Sequence, residues 1–273
     1  MKKPLLLLLV AWSYHAYAQS SITDIGARAQ GLGYTASCLF DAWSTLNNPA
    51  GLAKQRKPIA ACTYDAFAGF SPFNRLAAVV AVPTNAGTIG AGVYRFGDNL
   101  YNEHLLTAAF ANTLGIASLG GRIHYIQYHA DGLGTRGLIS LSAGGITQLT
   151  PTFLVGAYIN NLFQPTVDRE NNEQLPTRLT LGTGITLSEN VLWTAEATQD
   201  LGHATTWKTG LEYTVQQTFI FRVGVNLAPD AYFAGMGFRR QRFLLDYAFQ
   251  HLPGLGTRHQ AAVGYYLSQP TTP

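Results

Sequence analysis

From about residue 57 to residue 267 the chain breaks into short segments of alternating apolar and polar residues, each closed by turn residues. A period of two marks a strand with unlike faces, because successive side chains point to opposite sides of a sheet. The clearest case puts Leu179, Leu181, Ile185 and Leu187 on one face, with Arg178, Thr180, Gly182, Gly184 and Thr186 on the other. Next, Val191, Trp193, Ala195 and Ala197 oppose Thr194, Glu196, Thr198 and Asp200. Then Trp207, Leu211, Tyr213 and Val215 oppose Lys208, Gly210, Glu212 and Thr214. A helical period would scatter these residues around an axis. One face suits hydrocarbon and the other a polar interior.

The predicted strands are 58–66, 75–83, 87–96, 103–112, 116–129, 137–148, 152–161, 177–187, 191–200, 206–216, 218–226, 231–239, 242–250 and 258–267. They total about 14, an even number of the kind single-chain bacterial barrels use. Links after even-numbered strands are tight, as at Pro83 to Ala86 and Ser188 to Asn190. The longer ones, such as Leu162 to Pro176, follow odd-numbered strands, as expected if both termini lie on the short-turn side. Charged residues make up 12% of the chain, where soluble domains carry about 25%. That deficit disfavours the rival architecture, a soluble periplasmic β-sandwich, which would show more surface Lys and Glu. The net charge of +3 comes without a basic cluster, so no nucleic-acid partner is implied.

Met1, Lys2 and Lys3 precede an apolar run to Trp12 and an Ala16-Tyr17-Ala18 site, the pattern of a secretory signal peptide over residues 1–18. The run is short of the roughly 20 residues a spanning helix needs. The expectation is an all-β chain: a 14-stranded antiparallel transmembrane β-barrel over residues 57–267 in a bacterial outer membrane, in contact with its lipid, and a tail at 268–273.

Residues 19–56 do not read as strand. They hold Gly26-Ala27-Arg28-Ala29-Gln30-Gly31-Leu32-Gly33, then Asp41-Ala42-Trp43-Ser44, then Asn47-Asn48-Pro49-Ala50-Gly51-Leu52-Ala53. Small residues, a helical turn near Asp41 to Leu46 and an Asn-Pro break suit a compact insert that plugs the lumen of a wide barrel. These motifs resemble the start of the PorV/PorQ family of Bacteroidetes outer-membrane proteins, relatives of the FadL-like fatty-acid transporters. The ending is similar too, through Leu245-Asp246-Tyr247-Ala248-Phe249, Gly254-Leu255-Gly256 and Gly264-Tyr265-Tyr266. The resemblance implies a 14-stranded barrel with its amino-terminal segment inside. It also implies two activities. One is a non-enzymatic, partner-binding part in type IX protein secretion, with secretion components or exported proteins as partners. The alternative is transport of small hydrophobic compounds. The short loops near Gly69 to Phe73 and Gly97 to Asn102 argue against large clients.

The inward face is expected to carry Glu196, Asp200, Lys208, Glu212, Arg222 and Asp246, joined by Arg122, His124 and Arg178. They form either a ligand path or a structural ion-pair network that anchors the plug. On the lipid face each Arg or Lys at mid-depth would cost about 2–4 kcal/mol. Arg28 is a candidate anchor, and Asn47, Asn48 and Pro49 read as the turn that leads the plug into the first strand. Cys38 and Cys62 either bridge plug to wall, worth roughly 3 kcal/mol for such a loop, or stay free with Cys62 as a small wall residue. Tyr94, Phe96, Tyr125, Tyr128, Trp193, Trp207, Tyr232, Phe243, Tyr265 and Tyr266 fit an interfacial girdle. G-x-S-x-G, H-E-x-x-H and C-x-x-C do not occur, so neither catalysis nor a metal or other cofactor is expected.

Overall fold

The computed structural model describes residues 24–132, 134–168, 173–200 and 204–268. The expected leader and its cleavage site lie outside the described residues, as do residues 269–273 of the tail.

Fourteen antiparallel strands form a closed barrel. We label them β1 (Ile59–Phe67), β2 (Arg75–Thr84), β3 (Gly87–Gly97), β4 (Tyr101–Leu114), β5 (Ala117–Ala130), β6 (Gly134–Thr150) and β7 (Phe153–Asn160). The rest are β8 (Arg178–Ser188), β9 (Val191–Asp200), β10 (Thr206–Val215), β11 (Phe219–Leu227), β12 (Ala231–Arg240), β13 (Phe243–Leu252) and β14 (Gly256–Tyr266). Each strand pairs with its sequence neighbours, and β1 closes on β14 from Ile59 opposite Tyr266 to Phe67 opposite Arg258. Closure leaves no sheet edge, which a wall surrounded by hydrocarbon requires.

The alternation read from the sequence is the physical basis of the wall. Leu76, Ile89, Val93, Leu106, Leu179, Leu181, Phe221 and Val223 are exposed on the outside. Thr63, Thr107, Ser140, Thr180, Thr194 and Gln260 are buried on the inside. Turns after even-numbered strands are tight, at 85–86, 115–116, 151–152, 189–190, 216–218 and 241–242. This is the turn end. At the opposite, loop end, the connection 161–177 is the longest and folds over itself, with Thr166 paired to Gln174. Its Leu175 is buried against the lumenal cluster. Other loop-end links, such as 98–100 and 228–230, are as short as the turns.

Residues 24–56 fill the lumen. The segment contains a short helix α1 (Ala27–Gly31) and two 3-10 turns, Ala42–Thr45 and Pro49–Lys54. Nearly every residue in it is buried.

One expectation is corrected and one open alternative is decided. Tyr94, Phe96, Tyr128 and Tyr266 do not join an outer girdle; Tyr94 and Tyr128 are buried in the lumenal core and Phe96 and Tyr266 pack against it, because their strand parity is that of inward-facing residues such as His124 and Ala262. Cys38 and Cys62 are not bridged. Cys38 is buried in the plug, its Sγ 3.6 Å from the Gly182 carbonyl oxygen, while Cys62 points out of β1 into the surroundings. The barrel wall stands between them.

Candidate functional site

The plug sits close because the inner wall lacks side chains where its backbone passes. A Cβ on Gly120 would lie 2.5 Å from the Pro49 carbonyl carbon. One on Gly210 would lie 2.5 Å from the Leu32 oxygen, and one on Gly224 2.6 Å from the Leu32 carbon. Such approaches are closer than carbon and oxygen tolerate, so only glycine fits. Gly156 meets the plug backbone in the same way, at Ser37, while Gly90, Gly144 and Gly182 meet the ends of plug side chains (Thr45, Asn48 and Ser37), which can shift or be replaced. Inward-facing glycines are therefore the track on which the plug lies, a feature the sequence reading missed. Its signal was present: glycine recurs at the lumenal parity of strand after strand.

Polar latches hold the plug. Arg28 donates to both carboxylate oxygens of Glu212 (2.9 and 2.8 Å), and its guanidinium also lies 3.4 Å from Asp41. Arg222 bridges Glu212 (2.7 Å) to Asp246 (2.6 Å). Burial works against the charge of Arg28, but Glu212 outweighs it, so its pKa is raised. Burial pushes the Asp41 carboxyl above the usual carboxylate range, with Arg28 opposing. Glu196 accepts from the backbone N–H of Ala36 (3.0 Å) and Ser37 (2.9 Å), and its other oxygen pairs with Lys208 at 3.1 Å. Lys208 reaches on to Asp24 (3.4 Å), which also accepts from the Tyr158 hydroxyl (2.8 Å). Thr35 and Thr194 share a hydroxyl hydrogen bond of 2.6 Å.

The remaining candidates fall in place around these. Arg178 pairs with Asp200 at the loop end. Arg122 donates to the Asn47 carbonyl and to Asn160, and His124 Nδ1 meets the Thr107 hydroxyl at 2.6 Å. Asn47 clasps Ile25 through both its side-chain atoms (2.9 Å each), tying the plug's start to its end. Asn48 caps the second 3-10 turn by accepting from Ala50 N–H (3.1 Å) and donates to the Ser37 oxygen (2.6 Å), while Pro49 opens that turn. A second network that sequence reasoning missed joins Asp65 to Arg75 and Arg258 (3.2 Å), with Arg75 donating to the plug's Tyr34 hydroxyl at 2.7 Å. Burial raises the Tyr34 phenol to about 12, so it stays protonated at neutral pH. Asp65 stands at lumenal parity in the first predicted strand, and that parity was the available clue.

The charged latches gather on β7 to β11. Apart from the Arg75–Tyr34 hydrogen bond at the loop end, the plug meets β1 to β4 across the lumen by apolar packing. There Ile25, Trp43, Leu46 and Leu52 of the plug share a core with Ile59, Ala61, Ala77, Val79, Ala81, Leu105, Ala109 and Ala111. The lumen also holds two cavities with no lining residue in common. One, of about 300 Å³, opens at the loop end among Asp24, Arg75, Arg178, Asp200, Lys208 and Arg258. The other, of about 80 Å³, lies toward the turn end beside Arg28, Asp41, Arg222 and Asp246.

Solved structures that share this architecture include hydrocarbon channels and transporters. The toluene transporter TbuX of Ralstonia pickettii superposes with a TM-score of 0.68 at 12% identity, covering 90% of this chain and 98% of that one. The CymD monoaromatic hydrocarbon channel gives 0.68 at 13% identity, over 89% and 97%. The deltaS2S3 mutant of the TodX monoaromatic hydrocarbon channel gives 0.70 at 12% identity, over 88% and 98%. At these identities the likeness is one of fold: this chain has the fold of bacterial outer-membrane barrels. No protein-family profile matches the sequence, and no curated protein matches it.

Proposed function

We propose that the chain is an outer-membrane barrel that passes small hydrophobic molecules along the seam between its plug and the β1–β4 wall. The observation that carries this is the one-sided attachment of the plug. Its ion pairs to the wall, Arg28 with Glu212 and Asp24 with Lys208, lie on β10, while toward β1 to β4 it rests on apolar side chains apart from the Arg75–Tyr34 hydrogen bond at the loop end. Apolar packing is non-directional, so a plug hinged on its charged side can yield on the other without leaving a buried charge unpaired. The hydrocarbon channels that share the fold support this choice of cargo. The test is flux into liposomes carrying the purified barrel. Entry of a small aromatic hydrocarbon faster than into protein-free vesicles, with arabinose excluded, supports transport. Equal entry with and without protein refutes it.

A second reading has its own support. The wall is paired all the way round and the lumen is closed by ion pairs, which suits a scaffold whose work is done on its surface. With the PorV/PorQ resemblance, that reading assigns a partner-binding role in type IX secretion. Recovery of secretion subunits or exported proteins with the tagged barrel from gently solubilised outer membranes, in the absence of flux, would favour it.

A further inference from the structure

The outer surface over β1 to β5 is indented. Small side chains, Cys62 and Ala78, floor a groove of about 570 Å³ walled by Val93 and Leu106. A second hollow of about 510 Å³ continues it past the same four residues toward β14. At its loop-end edge the groove meets a polar row. Arg95 on β3 faces His104 on β4, which faces Gln127 on β5, each directly opposite in the register. All three line the groove, and Arg95 and His104 are exposed on the outside of the barrel. The other arginines and the lysine described above turn inward, to a carboxylate or, for Arg122, to the Asn47 carbonyl and Asn160. Among the described residues Arg95 meets none, and the neighbouring outward positions Tyr64, Leu76 and Tyr125 are uncharged.

A cation on the outside of such a wall is stable where an anion of the bilayer can meet it, at headgroup depth. We propose that this groove holds one bilayer lipid, with an acyl chain along Cys62, Ala78, Val93 and Leu106 and its headgroup phosphate on Arg95 and His104. The site rests on the outer-membrane reading above. Charge complementarity selects the occupant: an apolar trough ends in two basic or hydrogen-bonding side chains, which fits a phosphate-bearing amphiphile. A wholly apolar partner surface would leave Arg95 unmet. Tyr64 and Tyr125, aromatic and exposed beside the row, mark the interfacial depth at which headgroups lie.

Cys62 is the exposed thiol and lies in the groove floor, so it reports the site directly. The full barrel is placed in nanodiscs of phosphatidylcholine with a minor share of phosphatidylglycerol, then released into mild detergent for native mass spectrometry. Retention of one phospholipid per barrel is expected, with R95Q/H104Q lowering it about tenfold. A photoreactive group on Cys62 is expected to capture phospholipid in the parent. Equal retention in parent and variant overturns the site. So does preferential retention of added oleate, a carboxylate amphiphile, or capture of a protein at Cys62 in native membranes. Failure to insert as a protease-resistant barrel overturns the outer-membrane reading and the site together, whereas insertion without lipid retention overturns the site alone.

Discussion

The β1–β4 side of the lumen and the β7–β11 side hold the same plug by different physics. On the second side, Glu196, Lys208, Glu212 and Arg222 contact it or one another through charged hydrogen bonds of 2.7 to 3.1 Å. On the first, the contact is among alanine, valine and leucine, apart from Arg75 at the loop end. Removing one partner of a buried ion pair strands a charge, whereas parting two apolar surfaces costs area in proportion to what is exposed. The wall is thin on that same side: Ala77, Val79 and Ala81 face in while Ala78 and Val80 face out. One side is thus built to hold and the other to yield.

The strongest way to break this contrast is to deny the plug its track. Gly120→Val adds a branched side chain where even a Cβ meets the Pro49 backbone at 2.5 Å. The plug is expected to be expelled, read as rapid proteolysis of residues 24–56. Gly121→Ala, one residue away on the outer face with its nearest atom at 3.9 Å, is the matched control and should change nothing. Next in size is Glu212→Gln, which removes the negative charge shared by Arg28 and Arg222 and one of its two acceptor oxygens. A loss of roughly 3–5 kcal/mol is expected in denaturant unfolding. Val79→Ala on the yielding side should cost only about 1–2 kcal/mol yet raise hydrocarbon flux, which Glu212→Gln would match only by loosening the whole plug. Should Val79→Ala destabilise more than Glu212→Gln, the assignment of the two sides is reversed. The smallest effect is chemical. Burial raises the Cys38 thiol to about 12, so at pH 8 maleimide should modify one thiol per folded chain, Cys62, and two after unfolding.

Much of this was legible in the sequence. Strand parity is set by whether a side chain meets hydrocarbon or the interior, so Leu179 and Leu181 against Arg178 and Thr180 located both the wall and its faces. While Arg28 came from the amino-terminal motif, the same logic of parity placed Glu196, Lys208 and Glu212 inside. It could not say which acid each base would meet, because pairing depends on the plug's path across strands far apart in sequence. Arg28 and Glu212 are 184 residues apart. The girdle assignment failed at Tyr94, Phe96, Tyr128 and Tyr266 because position near a strand end was weighed above parity. The bridge between Cys38 and Cys62 was left open for a related reason: spacing along the chain does not reveal that a wall separates them. Asp65 and the inward glycines needed no more than the parity already in use.

The hinge-and-seam arrangement is tested most directly by fixing one side of the plug at a time, in a background with Cys38→Ala and Cys62→Ser. Thr45→Cys with Gly90→Cys ties the plug to the yielding wall, where the Gly90 Cβ position lies 2.7 Å from Thr45 Oγ1. Thr35→Cys with Thr194→Cys ties it to the holding wall, where the two hydroxyls lie 2.6 Å apart. Hydrocarbon flux into liposomes is then measured for each pair, oxidised and reduced. Oxidation of the Thr45/Gly90 pair is expected to stop flux and reduction to restore it, while oxidation of the Thr35/Thr194 pair leaves flux intact. Undiminished flux with the first pair locked, or flux lost only when the second is locked, would contradict the arrangement.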